Sequence, residues 1–275
     1  MYISNAEYHS RSEYGSTALK PAAKGFGKGT LAIVNGESLP QTQALAEGSA
    51  VHSRLGEPQL FNTEFAIKPQ GMSFVNKEGK EWKKEHSDKT ILSAEFGEKL
   101  KHIELAFLES PASKFYEQEG ETEASYFWEI DGLSRGGKCR PDWISADKKT
   151  IIDLKTTTSA DRKSFQRAIM NYSYHLSAAW YMHGVKQATG VTPEEFIWVA
   201  IEKDTPFGVG VYRADAELLA EGKAMYERAL ANIQSWEETG IYPDHTPEIE
   251  SIGLPSWMKK KVDVTPQNYQ EIELY

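Results

Sequence analysis

The chain has almost no cysteine and no long apolar segment, and each absence narrows what the protein can be. Cys139 is the only cysteine among 275 residues. An internal disulfide framework and a cysteine-ligated zinc or iron–sulfur site are therefore excluded. No apolar run is long enough to cross a bilayer, no segment resembles a signal peptide, and low-complexity tracts are missing. We expect a globular cytoplasmic protein with no membrane partner.

Positive charge is also scarce. The sequence carries a net charge of −9, whereas nucleic-acid binders usually present a basic face. Either a minority of lysines and arginines builds a basic channel, or nucleic acid is not the partner. Two lysine-rich stretches favour the channel, because residues 77–89 contain five lysines and residues 259–261 are all lysine. Both alternatives stay open at this point.

Length and hydrophobic content predict one sizeable core, and we divide the chain around it. With 275 residues and 40% hydrophobic content, we expect a single α/β domain rather than two independent ones. The predicted parts are a helical annex over residues 1–110, a core over 111–245 and a C-terminal arm over 246–275.

Hydrophobic periodicity and turn signals predict the main elements of the core. Three strands are expected within residues 122–155, and Asp215 is expected to cap a long helix that ends at Gly240. The other predicted elements are helices over residues 94–108 and 163–183, and a strand pair over 196–202 and 208–213.

The most informative stretch runs from Arg140 to Thr157, with the sequence RPDWISADKKTIIDLKTT. Two apolar strands separated by a polar turn predict a hairpin, and a two- or four-residue loop would place Asp142 opposite Asp153. Because side chains alternate along a strand, Asp153 and Lys155 share one face while Ile152 and Leu154 share the other. A charge such as Asp153 inside an apolar strand is costly unless it is paired or bound to metal.

The chemistry of these side chains predicts a divalent metal site with a lysine beside it. Carboxylate oxygens are preferred ligands of Mg²⁺, and Mn²⁺ can substitute for it. A lysine next to them can orient a water molecule and stabilise charge that develops on a phosphate.

The spacing D-x10-D-x-K resembles the catalytic core of the PD-(D/E)xK nuclease superfamily, and longer words resemble its RecE-type exonuclease branch (exodeoxyribonuclease VIII). This resemblance covers about residues 44–245. The matching words lie at residues 44–52, 137–144, 151–157, 171–181 and 199–206. It implies a restriction-endonuclease-like α/β fold, in which a central mixed sheet is flanked by helices.

The resemblance also implies the remaining site residues. His52 matches a helical histidine ligand, and the Leu154 carbonyl is expected to join Asp142 and Asp153 as a metal ligand. A glutamate on the strand before Asp142 is expected as well. Glu123 and Glu129 both qualify, and a strand would place both on one face; we prefer Glu123.

Contacts to DNA are expected from three residues, Arg140, Thr156 and Tyr181. The branch also has a glutamine at the position where this chain has Ser177, so that role is lost or is taken over by His175 or by water.

By the same resemblance, the protein is expected to be a Mg²⁺-dependent 5′→3′ exonuclease in a bacterial or phage-infected cell. It would degrade linear double-stranded DNA from its ends and leave 3′ single strands for recombination, possibly beside a single-strand annealing recombinase. A closed ring of three or four subunits is implied. Two alternatives are a structure-specific endonuclease of the superfamily and a non-enzymatic binding module that kept the fold.

Overall fold

The computed structural model describes residues 3–37, 42–246 and 248–255. The helices and strands of this described part lie between Asn5 and Thr239. The helices are α1 (Asn5–Ser10), α2 (Ser16–Ala23), α3 (Gly27–Val34), α4 (Gln43–Gly56), α5 (Pro58–Glu64), α6 (Lys77–Glu85), α7 (Ala94–Glu109), α8 (Ser113–Tyr116), α9 (Arg162–Tyr172), α10 (Tyr174–Thr189) and α11 (Ala216–Thr239).

Within the described residues, nine strands form one large sheet and two small ones. They are β1 (Phe65–Ile67), β2 (Thr90–Leu92), β3 (Gly120–Thr122), β4 (Tyr126–Trp128), β5 (Gly137–Cys139), β6 (Trp143–Ser145), β7 (Thr150–Thr157), β8 (Glu195–Glu202) and β9 (Val209–Arg213). The large sheet has the order β3-β6-β7-β8-β9, while β1 pairs with β2 and β4 with β5.

The large sheet is mixed. Strands β7 and β8 run parallel, and the other neighbours in this sheet run antiparallel. A parallel pair needs a crossover, which α9 and α10 supply between β7 and β8. The predicted fold class, a mixed sheet flanked by helices, is confirmed.

Helices cover both faces of this sheet. This is expected because β7 and β8 carry apolar side chains on both sides. Ile151 and Trp198 pack on one face with α2, α9, α10 and α11. Ile152 and Leu154 pack on the other face with side chains of α4 and α7. The alternation predicted for β7 is therefore confirmed.

Several predicted elements are confirmed with their end signals. Helix α7 buries Phe96, Leu100, Ile103 and Phe107, as its periodicity predicts. Asp215 accepts a hydrogen bond from the Leu218 N–H at 2.8 Å and caps α11. The strand pair after α10 is present as β8 and β9, and a left-handed Gly240 ends α11.

The single helix predicted over residues 163–183 is wrong. Ser173 adopts the left-handed conformation (φ 53°, ψ 45°) and divides this stretch into α9 and α10. The sequence has no glycine or proline at this break. Because serine rarely adopts positive φ, no local pattern predicts that the helix ends here. Helix α10 also continues past Gly184 and ends at Gly190.

The first 110 residues do not form a separate helical layer. Helices α2 and α3 pack with α11, whereas α4 and α7 lie on the opposite side of the sheet, and β1 and β2 add a small parallel sheet. Residues 1–244 form one compact unit. The predicted annex is therefore divided between the two faces of the core.

The predicted C-terminal arm falls mostly outside the described residues, as do the three lysines at 259–261. Where the structure describes it, between residues 246 and 255, it contains no helix or strand. Across the described ranges, no helix combines the length and apolar character needed to span a membrane.

Candidate metal-dependent active site

The β6–β7 hairpin brings the two predicted aspartates together. Trp143 pairs with Ile152 and Ile144 pairs with Ile151. Residues 146–149 form a four-residue connection, so the same register places Asp142 opposite Asp153. The predicted juxtaposition is confirmed.

Asp153 and the half-buried Lys155 form an ion pair on one face of β7. Asp153 is only 3% exposed, and its Oδ2 pairs with the Lys155 ammonium. Burial raises the pKa of Asp153, although Lys155 opposes that shift. Burial also disfavours the charged form of Lys155, but Asp153 and Asp142 outweigh it, so the pKa of this lysine is raised. The lysine therefore stays a cation at neutral pH.

Asp142 is held from two sides. His52 Nδ1 lies 3.0 Å from Asp142 Oδ1, and the Leu154 N–H donates a hydrogen bond to Asp142 Oδ2. Burial works against ionisation of Asp142, but His52 and Lys155 lower its pKa overall. Asp142 is therefore an ionised carboxylate with a fixed orientation.

His52 reaches this carboxylate from α4, and local sequence determines its position. Thr42 caps the helix by accepting a hydrogen bond from the Leu45 N–H. Ala50 and Val51 are fully buried in the core on that face of the sheet. The next residue, His52, is thereby directed toward the hairpin. Asp142 raises the pKa of His52 against the lowering effect of burial.

Glu123 completes a cluster with His52 and Asp142. One ligand atom from each of the three residues lies within 4.8 Å of the others. Glu123 has φ 50° and sits between β3 and β4. The expectation that Glu123 and Glu129 share a strand face is wrong, because this turn interrupts the strand. Glu129 is exposed and is not part of the cluster.

The cluster fits a divalent cation in chemistry and in charge. Two carboxylates and one imidazole are suitable ligands for Mg²⁺ or Mn²⁺. Burial, followed by the nearby Asp142 charge, raises the pKa of Glu123 to about 8. Ionisation of Glu123 beside Asp142 is therefore unfavourable in this environment, and a bound cation would favour it.

Two members of the predicted ligand set lie beside the cluster rather than in it. Asp153 is paired with Lys155, and the Leu154 carbonyl accepts a hydrogen bond from Lys155 Nζ at 3.2 Å. Their roles as metal ligands remain predictions.

The cluster opens into a cleft of about 570 Å³. Helices α4 and α5 contribute one side of its lining, and the N-terminal segment around α1 contributes another. Its lining includes His52, Glu123, Asp142, Thr156, Tyr181 and Tyr8. A cleft that exposes the candidate metal ligands is the expected place for a substrate.

Comparison with known proteins agrees with this arrangement. The family described as a PDDEXK-like domain of unknown function (DUF3799) matches residues 16–255. The chain belongs to this family. Its fold is that of the PD-(D/E)xK nucleases, as the hairpin motif predicted.

One of two similar solved structures supports the fold, and it supports the fold alone. A protein from Eubacterium rectale, provisionally named an exonuclease, superposes with a TM-score of 0.65 at 18% identity and covers 93% of this chain and 97% of its own. A second structure, SSO0001, reaches a TM-score of only 0.31 at 17% identity over 68% of this chain and 85% of its own. No curated protein matches the sequence.

Arg140, which was predicted to contact DNA, makes several contacts within the protein. It is 7% exposed and donates hydrogen bonds to Ser125 Oγ at 2.9 Å and to the Ile3 carbonyl at 3.0 Å. Its guanidinium lies 4.2 Å from the centre of the Tyr8 ring and 3.9 Å from Glu123 Oε2. These contacts anchor the N-terminal segment beside the cleft, which Arg140 also lines. Its contact with DNA remains a prediction.

The other two predicted DNA contacts line the cleft, but the expected substitute for glutamine does not. Thr156 and Tyr181 both face the cavity. Ser177 is buried, and His175 Nδ1 hydrogen-bonds the Ile169 carbonyl at 3.3 Å. Neither Ser177 nor His175 is among the residues that line the cleft.

Sequence reasoning missed Lys20 and Tyr174. Lys20 Nζ lies 5.5 Å and Lys155 Nζ 5.3 Å from the centre of the Tyr174 ring. Lys20 is on α2, more than a hundred residues before the hairpin. No local pattern could have linked these residues, because only tertiary packing brings them together.

Proposed function

We propose that this protein is a metal-dependent nuclease that hydrolyses phosphodiester bonds. The observation that carries the proposal is the placement of His52, Glu123 and Asp142 in one cluster, next to the strand that presents Lys155. A cation site beside a fixed ammonium is the arrangement that phosphodiester hydrolysis needs.

In this proposal the chain's own residues divide the work. His52, Glu123 and Asp142 hold the cation, with Asp153 and the Leu154 carbonyl nearby. A bound divalent ion supplies Lewis acidity and lowers the pKa of a water molecule. Lys155 orients the attacking water and stabilises the negative charge that develops on the phosphate. Asp153 keeps Lys155 charged and in place.

The finer proposal is a 5′→3′ exonuclease that acts on linear double-stranded DNA and leaves 3′ single strands for recombination. The resemblance of residues 44–245 to RecE-type exonucleases supports it, as does the provisional name of the Eubacterium rectale protein. A single-strand annealing recombinase would be the matching partner for such a product.

A structure-specific endonuclease of the same superfamily is the second candidate, because the metal site alone does not select DNA ends. A binding module that kept only the fold is disfavoured, since Asp142, Asp153 and Lys155 are all in place.

The deciding experiment compares linear duplex DNA, labelled at the 5′ or the 3′ end, with covalently closed circular DNA in Mg²⁺. We expect the 5′ label to be released first and the circle to persist. Cleavage of the circle would support the endonuclease instead. Absence of cleavage on every substrate in Mg²⁺ and Mn²⁺ would contradict a nuclease function.

We also propose that the subunits form a closed ring of three or four, which would account for DNA binding by a protein with net charge −9. Several subunits could build one basic channel that a single subunit lacks. We expect a trimer or tetramer by light scattering, and we expect unlabelled competitor DNA, added after the reaction begins, to slow it little. A stable monomer that degrades DNA distributively would contradict the ring and leave the metal site untouched.

A further inference from the structure

Lys20 is a half-buried cation that the mechanism above does not use. It lies on α2 between the buried residues Leu19 and Ala22, and α2 packs against α10 and α11. The position of its side chain is therefore determined by a packed helix. Within the described ranges, no carboxylate lies within 4.0 Å of its Nζ.

Lys20 shares an aromatic platform with the candidate catalytic lysine. The ammonium groups of Lys20 and Lys155 lie 5.5 Å and 5.3 Å from the centre of the Tyr174 ring. Lys155 has Asp153 as its counter-ion. Lys20 lies against the ring and is attracted by the Asp153 charge only from a longer distance. A ring is a weaker partner for a cation than a carboxylate in direct contact.

The charge of Lys20 is unfavourable where it stands. Burial, and then repulsion by Lys155, lowers its pKa to about 8. A second cation beside Lys155 therefore destabilises the free protein unless an anion binds there.

The aromatic pair beside Lys20 reaches the solvent. Tyr172 stacks on Tyr174 with ring centres 5.5 Å apart and is 61% exposed. This pair forms an aromatic shelf that leads from Lys155 to the solvent. Aromatic rings beside lysines are typical of surfaces that bind a nucleic-acid strand.

We propose that Lys20 binds a backbone phosphate of the nucleic-acid strand next to the phosphate that faces Lys155. The proposal rests on the nuclease function and names one of its substrate contacts. Lys20 neutralises a neighbouring charge and holds the strand in register, whereas Lys155 acts at the bond that breaks. Lys20 is therefore a binding residue and not a ligand of the metal.

The test uses the full chain with Lys20→Met, Lys20→Arg and the control Lys24→Met. Lys24 is exposed at the end of the same helix. Binding to a duplex oligonucleotide is measured in Ca²⁺ as a function of salt, after confirming that the oligonucleotide stays intact. One lost phosphate contact should reduce the slope of log affinity against log salt by about one.

We expect Lys20→Met to weaken binding by about tenfold and to show this smaller slope. Lys20→Arg and Lys24→Met should resemble the wild type, and the Mn²⁺ affinity of Lys20→Met should not change. A Lys20→Met slope equal to that of the wild type would overturn the proposal. So would a variant that loses Mn²⁺ affinity or thermal stability while the slope stays constant, because that is the signature of a structural role.

A measurement on the wild type covers the case in which Lys20→Met does not fold. An amine-reactive reagent should label Lys20 in the free protein, and the bound oligonucleotide should protect Lys20 but not Lys24. Equal labelling of Lys20 with and without DNA would overturn the proposal. If the wild type binds DNA but never cleaves it, the nuclease function fails while these readouts still test Lys20.

Discussion

The candidate site has two halves of opposite charge, and they differ in what they lack. The acidic half, formed by His52, Glu123 and Asp142, lines an open cleft. The basic half, formed by Lys155 and Lys20 around Tyr174, lies on the face of the sheet that α2 and α10 cover. In the proposed function the acidic half binds a cation and the basic half binds an anion.

Asp153 joins the two halves. Its carboxylate pairs with Lys155, and its strand position places it opposite Asp142. A phosphate bound between a cation in the acidic half and the ammonium groups in the basic half would satisfy both. Buried charges of this kind add little to stability but are expected where a protein performs chemistry.

The largest effect on DNA cleavage should come from removing the cation or its ligand Asp142 from the acidic half. Excess EDTA, or Asp142→Ala, should reduce cleavage of linear duplex DNA to background, because the cation loses its fixed ligand. The exposed Asp131 offers a control, and Asp131→Asn should cleave at the wild-type rate. Ca²⁺ should bind but not support turnover, since its looser coordination positions water poorly. Full activity in EDTA would rule out the mechanism.

Removing the Lys155 ammonium from the basic half should leave cation binding in the acidic half unchanged. Lys155→Ala should lower turnover by about 10²- to 10³-fold and keep Mn²⁺ affinity near that of the wild type, measured by calorimetry. Lys149→Ala, which removes an exposed lysine at the other end of the hairpin, serves as the control. Near wild-type turnover in Lys155→Ala would show that this lysine is only structural.

Within the acidic half, His52 should matter less than Asp142. His52→Ala should weaken Mn²⁺ binding by about 10- to 100-fold, because it removes one ligand and the partner that orients Asp142. His102→Ala, on the exposed side of α7, should have no such effect. Unchanged Mn²⁺ affinity in His52→Ala would remove this histidine from the site.

The smallest effect sharpens the assignment of the glutamate. Glu123→Gln should weaken Mn²⁺ binding by about tenfold, since one carboxylate of the cluster becomes neutral. Glu129→Gln should leave it unchanged, because Glu129 is exposed and outside the cluster. The reverse order of effects in the same titration would exchange the two glutamates.

The part of the site that depends on local sequence could be predicted. Asp142, Asp153 and Lys155 lie on one hairpin, where strand alternation and a short polar turn determine which side chains meet. Helix α7 and the Asp215 cap were predictable for the same reason, because periodicity and capping act over a few residues.

The rest of the site depends on contacts between segments that are distant in the sequence. His52 was expected only through the family resemblance, and the cluster shows its partner to be Asp142. The choice between Glu123 and Glu129 depended on a residue at φ 50° that no pattern signals. Lys20 meets Lys155 only because α2 packs against α10. Ser173 likewise adopts a left-handed conformation without glycine.

The most direct test of the two-halves account is a crystal structure with Mn²⁺ and a non-cleavable duplex oligonucleotide. We predict anomalous density for Mn²⁺ among His52, Glu123 and Asp142, with one backbone phosphate at Lys155 and its neighbour at Lys20. Mn²⁺ bound elsewhere, or a nucleic-acid backbone that contacts neither lysine, would contradict the account.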